Sequence, residues 1–169
     1  MGGCRRGGSD GDWPDDRHPV GTHKCRHVEP DHDSIVPVSK LETPITRWYW
    51  SQVGGTLVEE FPLTPRSDTS AGRWVDGLIL PDGPNRMAKA EEVDVDGQEV
   101  VLVQTKATRL GMYLMGQAVF SQQLMIRTYS PRRVISVALC TKDDDVLRPM
   151  LEAFDDIIVV IAPNDLGTD

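Results

Sequence analysis

Three polar residues stand where strand-forming segments would otherwise place apolar ones: Asp76, Gln104 and Lys106. Asp76 interrupts Arg73-Trp74-Val75-Asp76-Gly77-Leu78-Ile79-Leu80, and the two-residue period of a strand puts it on one face with Trp74 and Leu78. Gln104 and Lys106 follow the apolar run Val100-Val101-Leu102-Val103, and the same period gives them a common face. A buried acid or ammonium without a partner is costly, so these residues require either mutual pairing or a ligand. A carboxylate, a side-chain oxygen and a lysine two residues beyond it suit phosphoryl chemistry. The oxygens hold a hard cation such as Mg²⁺, and the ammonium orients water and offsets charge developing on a phosphate. The structural alternatives are an Asp76 paired with Arg73 or Lys106 at a turn, and a Lys106 that reaches from a strand end to water.

The elements that must position this set are readable from Thr43 onward. Thr43-Pro44 is a helix start, a capping hydroxyl followed by proline in the first turn, and the helix runs through Trp48-Tyr49-Trp50 to Gly54-Gly55. Trp48, Tyr49 and Trp50 cannot all face one way on it. Strands are predicted over 56–62 and 73–80, the second closed by Pro81-Asp82-Gly83. Asp96-Gly97 reads as a hairpin turn between 92–95 and the segment from Gln98 on, with Glu91, Glu92, Asp94, Asp96 and Glu99 as solvated flanks. The continuous apolar run in 99–107 marks a central strand covered on both faces. A helix over 110–129, a strand over 133–140, a short helix opened by Thr141-Lys142-Asp143-Asp144 and delayed or kinked by Pro149, and a strand over 156–162 complete the order. That order is an α/β fold with a mixed central sheet flanked by helices.

Asp76 in Trp74-Val75-Asp76-Gly77, Gln104-Thr105-Lys106 on the next long strand, and Gln117 in Gly116-Gln117-Ala118 on the following helix carry a resemblance. On these residues, and over about Thr43 to Ala162, the chain resembles the PD-(D/E)xK nuclease superfamily in its Q-x-K version, found in Mrr-type restriction endonucleases. The resemblance implies a restriction endonuclease-like fold over residues 41–165 and a Mg²⁺- or Mn²⁺-dependent endonuclease or exonuclease acting on DNA. It implies metal ligands at Asp76, Gln104, the Thr105 carbonyl and an acid from the first helix or strand, with Glu59 favoured over Glu42 and Glu60. It implies Lys106 beside the attacking water, and Gln117, with Ser121 one turn on, supporting the site. Arg109, Arg66, Arg73, Arg132 and Arg133 are the candidate phosphate contacts. No DNA-reading module accompanies them, so specificity would come from a homodimer or a separate partner, or be absent. Gln104 stands where the superfamily usually has a glutamate, and an amide is a poorer Mg²⁺ ligand than a carboxylate. A catalytically inactive domain of the same fold, serving as a protein-interaction or regulatory module, is therefore the second expectation. A small α/β binding protein unrelated to nucleases is the third.

Composition bounds these readings. The 169 residues carry 18 Lys and Arg against 26 Asp and Glu, a net charge of −8, which argues against nucleic-acid binding through a broad basic surface. Residues 1–40 are poor in apolar side chains and rich in Gly, Asp, Arg and Pro, so a low-complexity polar tail, disordered or loosely packed, is expected there. It holds all four histidines (His18, His23, His27 and His32) and Cys25, half of a zinc site at most. No apolar run is long enough to span a bilayer, the start lacks a secretory pattern, and the three cysteines are scattered. A cytoplasmic location without membrane contact is expected. Phosphate-loop, dinucleotide-loop, G-x-S-x-G and H-E-x-x-H motifs are absent.

Overall fold

The computed structural model describes residues 38–166, so residues 1–37 of the expected tail, with its His/Cys cluster, lie outside the described residues, while residues 38–40 belong to a helix. Helix α1 (Val38–Val53) starts at Val38, not at Thr43, and encloses Pro44. Proline forfeits one i→i−4 bond but keeps a helical φ, and packing outweighs that loss. Ile45 and Thr46 are buried against the sheet, and the Thr46 hydroxyl donates to the Glu42 carbonyl at 3.1 Å. Glu42 is thereby a helical residue, on the same face as Thr46 one turn later. The helix ends as its glycines require. Gly54 and Gly55 adopt φ of +76° and +79°, and a Cβ on Gly55 would collide with the Leu80 carbonyl.

Six strands follow: β1 (Thr56–Thr64), β2 (Arg73–Leu80), β3 (Arg86–Met87), β4 (Glu99–Arg109), β5 (Arg133–Lys142) and β6 (Ile157–Ile161). They form one mixed sheet in the order β3-β1-β2-β4-β5-β6. β1, β2 and β4 run antiparallel to their neighbours in turn, whereas β5 and β6 are added in parallel, and β3 lies parallel to β1. Helix α2 (Met112–Thr128) makes the crossover from β4 to β5, and α3 (Leu147–Leu151) makes the one from β5 to β6. Pro149 lies in α3, whose first turn is capped by Asp144, the carboxylate accepting from the Val146 and Leu147 amides.

The sheet is covered on both sides. On one, Ile45 of α1 packs with Leu57, Ile79, Val101, Val103, Val137 and Leu139, with Trp48, Tyr49 and Trp50 partly buried around it. On the other, Met125 of α2 joins Val58, Leu78, Leu102 and Val134, while Leu114 and Ala118 join Ala138, Cys140 and Val159. The two faces of β4 thus go to different layers, which is why its sequence is continuously apolar.

One strand expectation needs correction. Asp96-Gly97 forms a turn, with Gly97 at φ +71°, but no hairpin. Both edges of β4 are already taken by β2 and β5, so the preceding segment becomes a single 3-10 turn (Ala90–Glu92) and buries Val95 in the core. The two-residue edge strand β3 carried no sequence signal. No helix among the described residues is long and apolar enough to cross a membrane.

Candidate functional site

β2 and β4 pair from Ile79↔Val101 to Gly77↔Val103 and then part. The next pair in that register is Asp76 with Gln104, and there side chains replace the ladder. The Thr105 amide donates to Asp76 Oδ2 at 2.6 Å, and Gln104 Nε2 donates to the Trp74 carbonyl at 3.4 Å. The neighbouring β1–β2 ladder is disturbed at the same level, since it passes over Glu60 and Asp76 between the pairs Glu59↔Gly77 and Phe61↔Val75. Glu60 takes φ +50°, a left-handed conformation that costs a non-glycine residue on the order of 1–3 kcal/mol. Face alternation fails around it, because Val58 and Phe61, three apart, share one core cluster. On the other flank, β4 carries an extra residue between Lys106 and Arg109 relative to β5, a bulge of the kind that re-aims side chains.

Helix α1 closes over this opening. Gly77 permits the approach, since a Cβ there would lie 2.9 Å from Thr46 Cγ2. The buried hydroxyls of Thr46 and Thr105 are hydrogen-bonded at 2.8 Å. One turn earlier, Glu42 Oε1 accepts from Lys106 Nζ at 2.8 Å. Lys106 also lies 5.9 Å from the ring centre of Tyr113.

The result is two clefts, one on each side of the opening. The first, of about 460 Å³, is lined by Glu42, Thr43, Thr46, Arg47, Glu59, Glu60 and Asp76. Burial pushes the Asp76 carboxyl above its ordinary value, outweighing the Thr105 amide and Lys106, and Glu60 adds to the rise. Burial likewise raises Glu42 against the pull of Lys106. Arg47 engages Glu59 through both carboxylate oxygens, at 2.8 and 2.9 Å. Four carboxylates against Arg47 and Lys106 leave an excess of two negative charges around this cleft.

The second cleft, of about 400 Å³, is lined by Trp74, Gln104, Gln117 and Ser121 together with Arg73 and exposed side chains of α2. Gln104 is buried, and its Nε2 also donates to Ser121 Oγ at 2.8 Å.

The structure therefore divides the expected residues. Asp76 and Lys106 come together with Glu42, the acid the sequence placed ahead of the helix. Glu59, the favoured acid, lines the same cleft but is held by Arg47, a residue the sequence reading missed. Only one of Glu59 and Glu60 was expected to point inward, yet both line the cleft because Glu60 breaks the alternation; two consecutive acids inside a strand were the available signal. Gln104 and Gln117 lie in the other cleft. The arginines scatter. Arg109 donates to the Asp143 carbonyl, Arg73 donates to the Ala71 and Gly72 carbonyls, and Arg66 lies exposed in the β1–β2 connection. Arg133 pairs with Asp156 and Glu99, and Arg132 with Asp82. Arg133 stands opposite Glu99 at the start of β4, seven residues from Lys106, or roughly 23 Å along the strand.

Among the described residues no three His, Cys, Asp or Glu side chains form a ready set of metal ligands. The donor chemistry still suits a hard cation. Asp76 and Glu42 each use one carboxylate oxygen in the bonds above, and the acid-lined cleft carries uncompensated negative charge. No family model, curated protein or solved structure matches the chain. Fold and site define an α/β/α protein with an acid–lysine cluster at a parted strand pair.

Proposed function

We propose that this domain is a metal-dependent nuclease of the PD-(D/E)xK type, with a restriction endonuclease-like fold, that hydrolyses phosphodiester bonds of DNA. The observation that carries the reading is the meeting of Asp76, Lys106 and Glu42, contributed by β2, β4 and α1, at the point where β2 and β4 part. The order helix, antiparallel β1, β2 and β4 with the two-residue β3 inserted before β4, helix, parallel strand supports it.

Asp76 and Glu42 would hold a Mg²⁺ or Mn²⁺ ion, where the resemblance implies Asp76, Gln104, the Thr105 carbonyl and Glu59. Asp76 and Glu42 would position it to supply charge compensation, polarisation of a phosphate and a more acidic water. The chain's own groups do the rest. The Thr105 amide fixes the Asp76 carboxylate, and the Thr46–Thr105 hydroxyl pair fixes the backbone that carries that amide. Lys106, tethered to Glu42, presents a cation to the phosphate and orients the water that attacks phosphorus as the ester P–O bond breaks. Removing such a contact costs on the order of 100-fold in rate.

The test is cleavage of labelled DNA with Mg²⁺ or Mn²⁺ by the wild type, Asp76→Ala and Lys106→Ala. Metal-dependent cutting lost in both variants is expected, and cutting that survives Asp76→Ala would overturn the assignment. One observation favours the second reading, an inactive module of the same fold. Gln104 is fastened by its amide to Ser121 and Trp74 and brings no oxygen to the acid-lined cleft. No cleavage at any metal concentration would select that reading.

A further inference from the structure

The second cleft has the chemistry of a nucleobase pocket. We propose that it takes an unpaired nucleotide of a single-stranded or frayed nucleic acid, the base stacking on its aromatic rim and its edge N–H groups bonding to Gln104 and Gln117. The proposal rests on the nuclease reading for the neighbouring phosphate position, and its own evidence is separate.

Two amide oxygens carry the argument. Gln104 Oε1 and Gln117 Oε1 are both buried without a hydrogen-bond partner among the described residues, and both residues line this cleft. Gln104 is only 2% exposed, and its orientation is fixed, because Nε2 donates to the Trp74 carbonyl, a group that can only accept. Its Oε1 is thus an acceptor left over by the fold. Buried polar atoms are nearly always satisfied, and two orphans in one cleft ask for donors from outside. Guanine offers N1–H and an amino group on one edge, adenine and cytosine each offer an amino group, and thymine offers only N3–H, set between two carbonyls that a pair of amide oxygens would repel.

The rim supplies the rest. Trp74, Met112, Tyr113 and Phe120 all line the cleft and are 54, 78, 73 and 68% exposed. Aromatic faces of this kind stack bases without regard to sequence. A ligand would reach the shielded oxygens by displacing the exposed Met112 and Phe120 side chains at the rim. Lys106 Nζ lies over the Tyr113 ring, 5.9 Å from its centre, and Trp74 and Gln104 flank the parted strands next to Asp76. A strand with one phosphate at Lys106 therefore passes its adjacent base to this cleft. The net charge of −8 fits the same picture, because stacking rather than phosphate neutralisation must supply the affinity.

The experiment uses the full chain in EDTA, so that cleavage plays no part, with fluorescence anisotropy of labelled 12-mers: single-stranded oligo-dA, oligo-dC and oligo-dT, and a blunt duplex. Single strands should bind more tightly than the duplex, with a shallow salt dependence. Phe120→Ala should weaken binding at least ~5-fold, the lower end for one lost stacking contact. Gln117→Leu removes an orphan oxygen, so it should leave the melting temperature unchanged or higher while weakening oligo-dA and oligo-dC more than oligo-dT. Equal binding by wild type and both variants, tighter binding of the duplex, or no binding at all overturns the pocket. So does self-association that Phe120→Ala abolishes, which would make the face a contact between copies. Metal-dependent cleavage by wild type with no effect of either variant on binding would refute the pocket alone. Variant-sensitive binding without cleavage would refute the nuclease reading alone.

Discussion

The two clefts flank the same parted strands, yet they are stabilised in opposite ways. The acid-lined cleft on the α1 side is held by strong directional pairs: Lys106 with Glu42, Arg47 with Glu59, and Thr105 with Asp76. Its unresolved tension is charge. The cleft on the α2 side is neutral in its floor, and its tension is hydrogen bonding, since two amide oxygens lack donors among the described residues. The molecule therefore places its unmet electrostatic demand on one side of β4 and its unmet hydrogen-bonding demand on the other. Both cost stability that folding alone does not recover, as is common where a protein keeps residues for a ligand.

The largest expected effect erases the comparison. Leu102 is fully buried under α2 at the centre of β4, and Leu102→Ala should cost about 2–5 kcal/mol by leaving a cavity. Chemical denaturation would measure it, and cleavage and oligonucleotide binding should then fail together above a lowered melting temperature. Next comes Gln104→Glu, which separates the clefts. A carboxylate cannot donate to the Trp74 carbonyl and would be buried at neutral pH, so a loss of about 1–3 kcal/mol is expected. That loss should shrink under acid, where a protonated carboxyl can donate again. A melting temperature raised by Mn²⁺ in this variant would instead show the new carboxylate reaching the acid-lined side.

Asp76→Asn tests the charge tension alone. Asp76 and Glu42 both have carboxyl pKa values raised by burial, so the folded protein retains protons that the unfolded chain releases. Their contribution to stability is full below the ordinary carboxylate pKa and is lost as pH rises through the raised values. Asn keeps an oxygen for the Thr105 amide and carries no charge. Melting temperatures between pH 4 and 8 should therefore fall less steeply for Asp76→Asn than for wild type, with the variant the more stable at pH 8 and inactive in cleavage. The smallest effect is the control. Arg133→Ala, at the far end of β4, should change stability by no more than about 1 kcal/mol, as exposed ion pairs do, and leave cleavage untouched. A large loss of cleavage would move the nucleic-acid path to that end of the sheet.

The sequence by itself determined the strands and helices that follow from local rules. The glycine pair at 54–55 ends α1, the continuous apolar run of β4 announces a strand covered twice, and Asp76 and Lys106 stand out as polar residues in apolar surroundings. Only the tertiary structure decided which acid meets Lys106, because Glu42 becomes available once packing of Ile45 and Thr46 draws the helix past Pro44. Strand parity placed Gln104 and Lys106 on one face, but parity says nothing about where a long side chain ends. Lys106 reaches Glu42 through the gap left by the parted strands, whereas Gln104 is anchored by Ser121. The Asp-Gly turn shows the same limit. Its local chemistry forms a turn, but β4 had no free edge for a hairpin partner, and edge occupancy is a property of the whole sheet.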